Sequence, residues 1–193
     1  MDKQKRNFLV ISASAATLAV LSACTTTGSG ANTDPAEQRK ALDTAADAAL
    51  SRLYSQQPGS RELVSQARGT LIFPSFGSAG FLIGGGSGTG VLRKGSATAG
   101  YFRMTEASVG LLAGAQSQAV FILFMTDEAL KRFEGSSGWT VGADANVSMI
   151  NVGANATLNT TTTRQEVIGF VMTNAGLMGN LSLNGNRVTR LSL

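Results

Sequence analysis

Residues 69–116 read GTLIFPSFGSAGFLIGGGSGTGVLRKGSATAGYFRMTEASVGLLAGAQ, and this stretch decides the fold. Short apolar runs (Leu71–Phe73, Phe81–Ile83, Val91–Leu92, Val109–Leu112) alternate with glycines. Apolar runs of three to five residues with turn signals between them are strand grammar. Glycine inside a strand marks a bulge, a sharp bend or the close approach of another backbone. The stretch therefore predicts a tightly curved, mostly antiparallel sheet. Most of the chain beyond it repeats the theme.

Downstream, Ala119–Met125 (AVFILFM) has no polar alternation, which predicts a central strand buried on both faces. Thr126 or Asp127 then caps a short helix, Glu128–Phe133, ended by Gly135. Trp139–Ile150 alternates with period two and predicts one long strand, and Val152–Thr163 a looser hairpin. Val167–Met172 is a second buried strand, followed by Gly176–Leu183. Asn184-Gly185 is a tight-turn signal before a last strand, Arg187–Leu191.

Upstream, two helices are expected. Asp34 suits an N-cap, Pro35 the first helical position and Glu37 a capping box, which opens a helix over 35–56. Leu42, Ala45, Ala46, Ala49, Leu50, Leu53 and Tyr54 form its apolar stripe. Its cations Arg39, Lys40 and Arg52 balance Glu37, Asp43 and Asp47. After Pro58-Gly59, Ser60 caps a second helix through Arg68, with Gly69 as its stop. The expected fold class is α+β: two N-terminal helices packed on a curved, Gly-rich, mostly antiparallel and partly barrel-like sheet.

Residues 1–23 read as a lipoprotein signal peptide. Lys3, Lys5 and Arg6 precede an apolar stretch, Phe8–Leu21, and Leu21-Ser22-Ala23-Cys24 is similar to a bacterial lipobox. That stretch is shorter than the about 20 residues a membrane span takes. Cys24, the one cysteine of the chain, is the expected lipidation site, and 24–33 the acylated cysteine with a flexible tether. Acyl chains at Cys24 attach the protein to a membrane. Thr25 after the cysteine, by similarity to lipoprotein sorting patterns, implies the bacterial outer membrane on its periplasmic side. Residues 34–193 form the folded domain.

Composition excludes several chemistries. The chain of 193 residues has no His and one Cys, so a His-based triad and a zinc site lack their residues. No metal and no cofactor is expected. The run Gly84–Gly90 does not read as a phosphate loop, because Val91 follows where Lys and Ser/Thr are needed. It reads as a flexible or strongly bent hairpin. Glu106 and Asp144, both placed inside strands, are the one carboxylate pair that would suit hydrolysis. The net charge is +4, of which residues 1–23 carry +2; no basic stripe for nucleic acid stands out. Cations of the strand region remain, and Arg93, Lys94, Arg103, Lys131, Arg132 and Arg164 are candidate contacts for anionic lipid headgroups.

Three groups of residues together resemble the SYLF domain. The first is Ala67–Pro74 with Gly80–Gly85 and Gly88–Leu92. The second is Ser108–Leu111, Gly114–Ser117 and Phe124–Thr126 with Ala129, Leu130 and Phe133. The third is Trp139–Val147. The resemblance covers about Leu42 to Leu183. It implies lipid binding without enzymatic activity, with phosphoinositides as ligands of eukaryotic members and actin as partner of yeast members. Two features depart from the family pattern: residues 176–185 (GLMGNLSLNG) lack its acidic residue, and the helix over 35–56 is not basic. The expected function is an envelope lipoprotein binding phospholipid or another anionic amphiphile. The alternative is a structural lipoprotein that binds envelope proteins, for which Asn151–Thr163 offers a polar surface.

Overall fold

The computed structural model describes residues 34–80, 83–109, 114–152, 164–174 and 183–193. The expectations for the signal peptide, Cys24, the tether, the apolar residues 81–82 and 110–113, most of the hairpin 152–163 and the segment 175–182 lie outside these residues.

Helix α1 spans Pro35–Gln56, and the Asp34 carboxylate accepts from the Ala36 amide at 2.9 Å. Its inner seam is narrow: Ala46, Ala49 and Leu53 are buried, Leu42, Leu50 and Tyr54 are half-buried, and Ala45 is exposed. Helix α2 is Ser60–Gln66, one turn shorter than expected. Ser60 does not cap it. Gly59, at φ +82°, turns the chain, and the buried Ser60 hydroxyl donates back to the carbonyls of Gln57 (2.7 Å) and Leu53 (3.3 Å). It closes the end of α1, where carbonyls lack helical partners. Gly69 belongs to the first strand rather than to a helix stop.

The strands are β1 (Gly69–Gly80), β2 (Ile83–Lys94), β3 (Ala97–Val109), β4 (Gly114–Phe124), β5 (Trp139–Thr140), β6 (Ser148–Asn151), β7 (Val167–Thr173) and β8 (Arg187–Leu191). Helix α3, Asp127–Gly135, follows β4, and the Thr126 hydroxyl accepts from the Ala129 amide at its start. The strands form one sheet in the order β5-β8-β3-β2-β1-β4-β7-β6, curled into a half-barrel. Every pair is antiparallel except β6 with β7. The fold is α+β, with the N-terminal helices packed on a mostly antiparallel sheet.

Pro74 sits in central β1, where it cannot donate a ladder bond. The register shifts by one residue between Ile72 and Ser75 toward β2, and between Phe73 and Phe76 toward β4. One extra residue in β1 is a bulge, the setting in which a sheet tolerates proline. The shift also reverses the alternation, so Phe73 and Phe76 share a face although three positions apart. The glycine run does not form a hairpin. It lies within β2, paired throughout with β1 and β3. A Cβ on Gly86 would come 2.7 Å from Phe76 Cζ, one on Gly88 2.7 Å from the Ser75 carbonyl oxygen, and one on Gly90 would collide with the Ile72 carbonyl. These glycines let β2 lie close against the aromatic side of β1.

The sheet is apolar on both faces. Leu71, Phe73, Phe76, Phe102, Met104, Val120, Ile122 and Phe124 pack on one side with α3 and Trp139. Ile72, Val91, Ala119, Phe121, Leu123, Ile168 and Phe170 pack on the other with α1 and α2. Burying a Phe, Leu or Ile contributes about 1.5–3 kcal/mol each, so the double-faced strands β1, β4 and β7 carry the stability. The long strand expected over Trp139–Ile150 is broken into β5 and β6. Gly142 at φ +83° turns the chain, its amide donates to Ala145 O, and the Asp144 carboxylate accepts from the Thr140 amide at 2.6 Å. Local side-chain bonds to the backbone compete with a ladder here, as Asp in a turn does.

Candidate functional site

Alternation along β3 sorts its side chains. Phe102 and Met104 join the α3 side, whereas Tyr101 packs against the cluster beneath α1. Arg103 follows Tyr101 to that second side. There it lines a cavity of about 290 Å³ with Thr89, its register partner on β2. The walls are Ala41 and Leu42 of α1, Leu191 of β8 and Leu193, and Gln38 completes the lining. Among the described residues Arg103 makes no hydrogen bond or ion pair. An apolar groove with one unpaired guanidinium is suited to a ligand that is apolar over most of its surface and anionic at one end.

The wall formed by α1 is held by a polar latch. Asp43 accepts from Thr98 Oγ1 at 2.8 Å and from the Tyr101 hydroxyl at 3.0 Å, and lies 3.3 Å from Arg93 Nη2. The same Nη2 donates to Asp47 Oδ1 at 3.0 Å. Burial, then the bond to Asp43, raises the Tyr101 phenol above its ordinary pKa of 10.0, so it stays a donor. At the N-terminal end of the helix Arg39 donates to the main-chain oxygen of Leu193. The latch sets the position of Leu42 and Ala41 over Arg103.

The six candidate cations do not converge. Arg93 is largely buried in the latch. Lys94 Nζ pairs with Glu134 at 2.8 Å, and Arg132 pairs with Glu166. Arg103, Lys131 and Arg164 are exposed and have no partner among the described residues. Arg103 lies on the α1 side of the sheet, and Lys131 on α3, which packs on the other side. Cys24 lies outside the described residues. Glu106 and Asp144 also part company. Glu106 is in β3, but Asp144 is in the turn after β5 rather than in a strand. Asp144 lines a polar cavity of about 280 Å³ with Arg132, Gln165 and Glu166, and Glu106 is not in that lining. Sequence patterning pointed to Arg103 but not to the groove, because Gln38, Thr89 and Leu191 meet only through strand order and helix placement.

Residues 105–192, a little under half of the chain, match the family model described as "Ysc84: Las17-binding protein actin regulator". The chain carries a SYLF domain. The match begins within β3 and runs through β8, so the motifs at 67–92 that carry part of the resemblance lie before it. None of the curated proteins compared matches the chain. Within the SYLF match fall Lys131, Arg132 and Arg164, as well as Leu191 of the groove; Arg103 and α1 precede it. No helix among the described residues is long and apolar enough to cross a membrane.

Proposed function

We propose that the SYLF domain binds an anionic amphiphile, phospholipid foremost, without catalysing a reaction. The observation that carries this reading is Arg103, an unpaired guanidinium at the rim of an apolar groove between α1, β2, β3 and β8. A phosphate or carboxylate headgroup would meet its planar fork, and an alkyl segment would lie on Ala41, Leu42, Leu191 and Leu193. Acylation at Cys24 would tether the domain to the bacterial envelope, at the outer membrane facing the periplasm, and so concentrate it beside its ligand.

The test is a vesicle-binding titration of the full-length chain with anionic and with zwitterionic vesicles, at low and raised salt. Binding to anionic vesicles alone, weakened by salt and lost in Arg103→Glu, supports the reading, because exposed charges attract within a Debye length of about 10 Å at 0.1 M salt. Equal binding by Arg103→Glu overturns the groove. The family description names a protein-binding member, and this supports a second reading in which the domain docks an envelope protein. Crosslinking in intact cells that returns lipid and no protein counts against it.

A further inference from the structure

On the opposite side of the sheet, three buried polar side chains gather without partners. Alternation in β3 carries Phe102 and Met104 onto the α3 side and Glu106 after them. Glu106 Oε2 is buried and makes no hydrogen bond among the described residues. Its register partner on β2 is Gly86, where a Cβ would stand 3.1 Å from that oxygen and 2.7 Å from Phe76 Cζ. The missing side chain leaves the carboxyl and the Phe76 ring facing a shared space. Gln118 of β4 is the register partner of Phe76 on its other flank, is 2% exposed, and its Nε2 has no partner. Asn186 is 1% exposed and stands one residue before Arg187, the partner of Thr105, so the antiparallel register sets it opposite Glu106. Its Nδ2 donates to Met104 Sδ at 3.6 Å, and its Oδ1 has no partner.

Buried polar atoms are nearly always hydrogen-bonded, and an orphan needs an explanation. Five such atoms occur among the described residues, and three of them surround Phe76 and Met104 at one end of one face. Three segments of the chain supply them, so local strain in one loop does not account for the set. The missing partner is therefore common to all three. Burial alone raises the Glu106 carboxyl above its ordinary value of 4.5, with no cation contributing. A half-buried carboxyl without a counter-charge calls for a cation rich in donors. Asn186 Oδ1 is a second acceptor, and rotation of the Gln118 amide turns its oxygen inward as a third. An aromatic ring beside them favours a cation further.

We propose that Glu106, Asn186 and Gln118 form a binding site for a primary ammonium group, carried either by a small free amine or by an amine-bearing lipid headgroup. The site is independent of the Arg103 groove, which lies on the other side of the sheet. A primary ammonium offers three N–H donors to three acceptors, whereas a quaternary one offers none.

The full-length chain is titrated with ethanolamine while the Glu106 carboxyl is followed by carbon NMR. In parallel, net-neutral vesicles of phosphatidylcholine, with or without phosphatidylethanolamine, are tested by co-sedimentation. Neutral vesicles leave the Arg103 reading untouched, so the two proposals fail separately. Ethanolamine binding should lower the Glu106 pKa, because an ammonium favours the ionised form. Glu106→Gln and Asn186→Ala, checked for folding by thermal melts, should each weaken the interaction, Glu106→Gln by about tenfold or more. A response to ethanolamine alone makes the ligand a free amine, and a response to phosphatidylethanolamine alone makes it a headgroup; both support the site. A Glu106 resonance that neither amine moves in the wild type overturns it, as does undiminished binding by Glu106→Gln.

Discussion

The two faces of the sheet are held by different physics. On one, α3 inserts Phe133 among aromatic rings, with centroids 5.0 Å from Phe102, 4.8 Å from Phe124 and 5.5 Å from Trp139. On the other, α1 presents Ala46 and Ala49, whose methyls bring the helix close but bury little area. Its orientation comes from Asp43, which gathers Arg93, Thr98 and Tyr101. An aromatic cluster fixes position through large, non-directional burial reinforced by ring geometry. A carboxylate latch fixes it through a few directional bonds that are costly to leave unmade. The face that needs to present a groove uses directional bonds, and the face that needs bulk stability uses rings.

Phe133→Ala breaks the ring side and should cost most, about 3–5 kcal/mol, read as a lower midpoint of denaturant unfolding. Asp43→Ala breaks the latch. It should cost less, about 1–3 kcal/mol, because it leaves the largely buried Arg93 and the Tyr101 hydroxyl short of a partner. Its larger effect should be on function: anionic vesicle binding falls with the stability change held small, while Phe133→Ala leaves binding intact wherever the domain stays folded. Equal loss of binding in both variants would remove the distinction between the faces.

The smallest effect belongs to Glu106, the carboxyl among apolar neighbours on the ring side. Its folded pKa is raised by burial, so the folded state holds the proton more tightly than the unfolded chain. The penalty from its charge is absent below the unfolded value, grows as pH rises from about 4.5 to the raised folded value, and is complete above it. Glu106→Gln should therefore raise the melting temperature at neutral pH and lose that gain at pH 4. A gain that persists at pH 4 would show that packing, not charge, sets it.

Much of this architecture was legible in the sequence. Ala119–Met125 announced a strand buried on both faces, Asn184-Gly185 the last turn, with Gly185 at φ +90°, and Asp34-Pro35 the start of α1. The misreadings were local contests decided by partners far away in the chain. Ser60 looked like a cap for the helix it begins, but it closes the one before. Trp139–Ile150 alternated like a strand, but Gly142 packs under Asn184 and turns out of the sheet. The glycine run looked bent because its partners, Phe73 and Phe76, were invisible as such until the Pro74 bulge brought them onto one face.

The cations followed the same rule. All six were visible as types, but whether each was free depended on its neighbour. Arg93 found Asp43 and Asp47, Lys94 found Glu134, Arg132 found Glu166, and Arg103 found an apolar groove.

By itself the sequence determined the α+β class, the two helices ahead of the sheet, the buried central strands and the exclusion of His- and Cys-based chemistry, because these depend on residue type and period. Only the tertiary structure decided which face each strand residue serves and which charges are spent on one another. It also brought Arg103 beside Leu191, and Glu106 beside Phe76. Strand order and a one-residue bulge set those neighbours, and both arise from packing between segments that a local pattern does not encode.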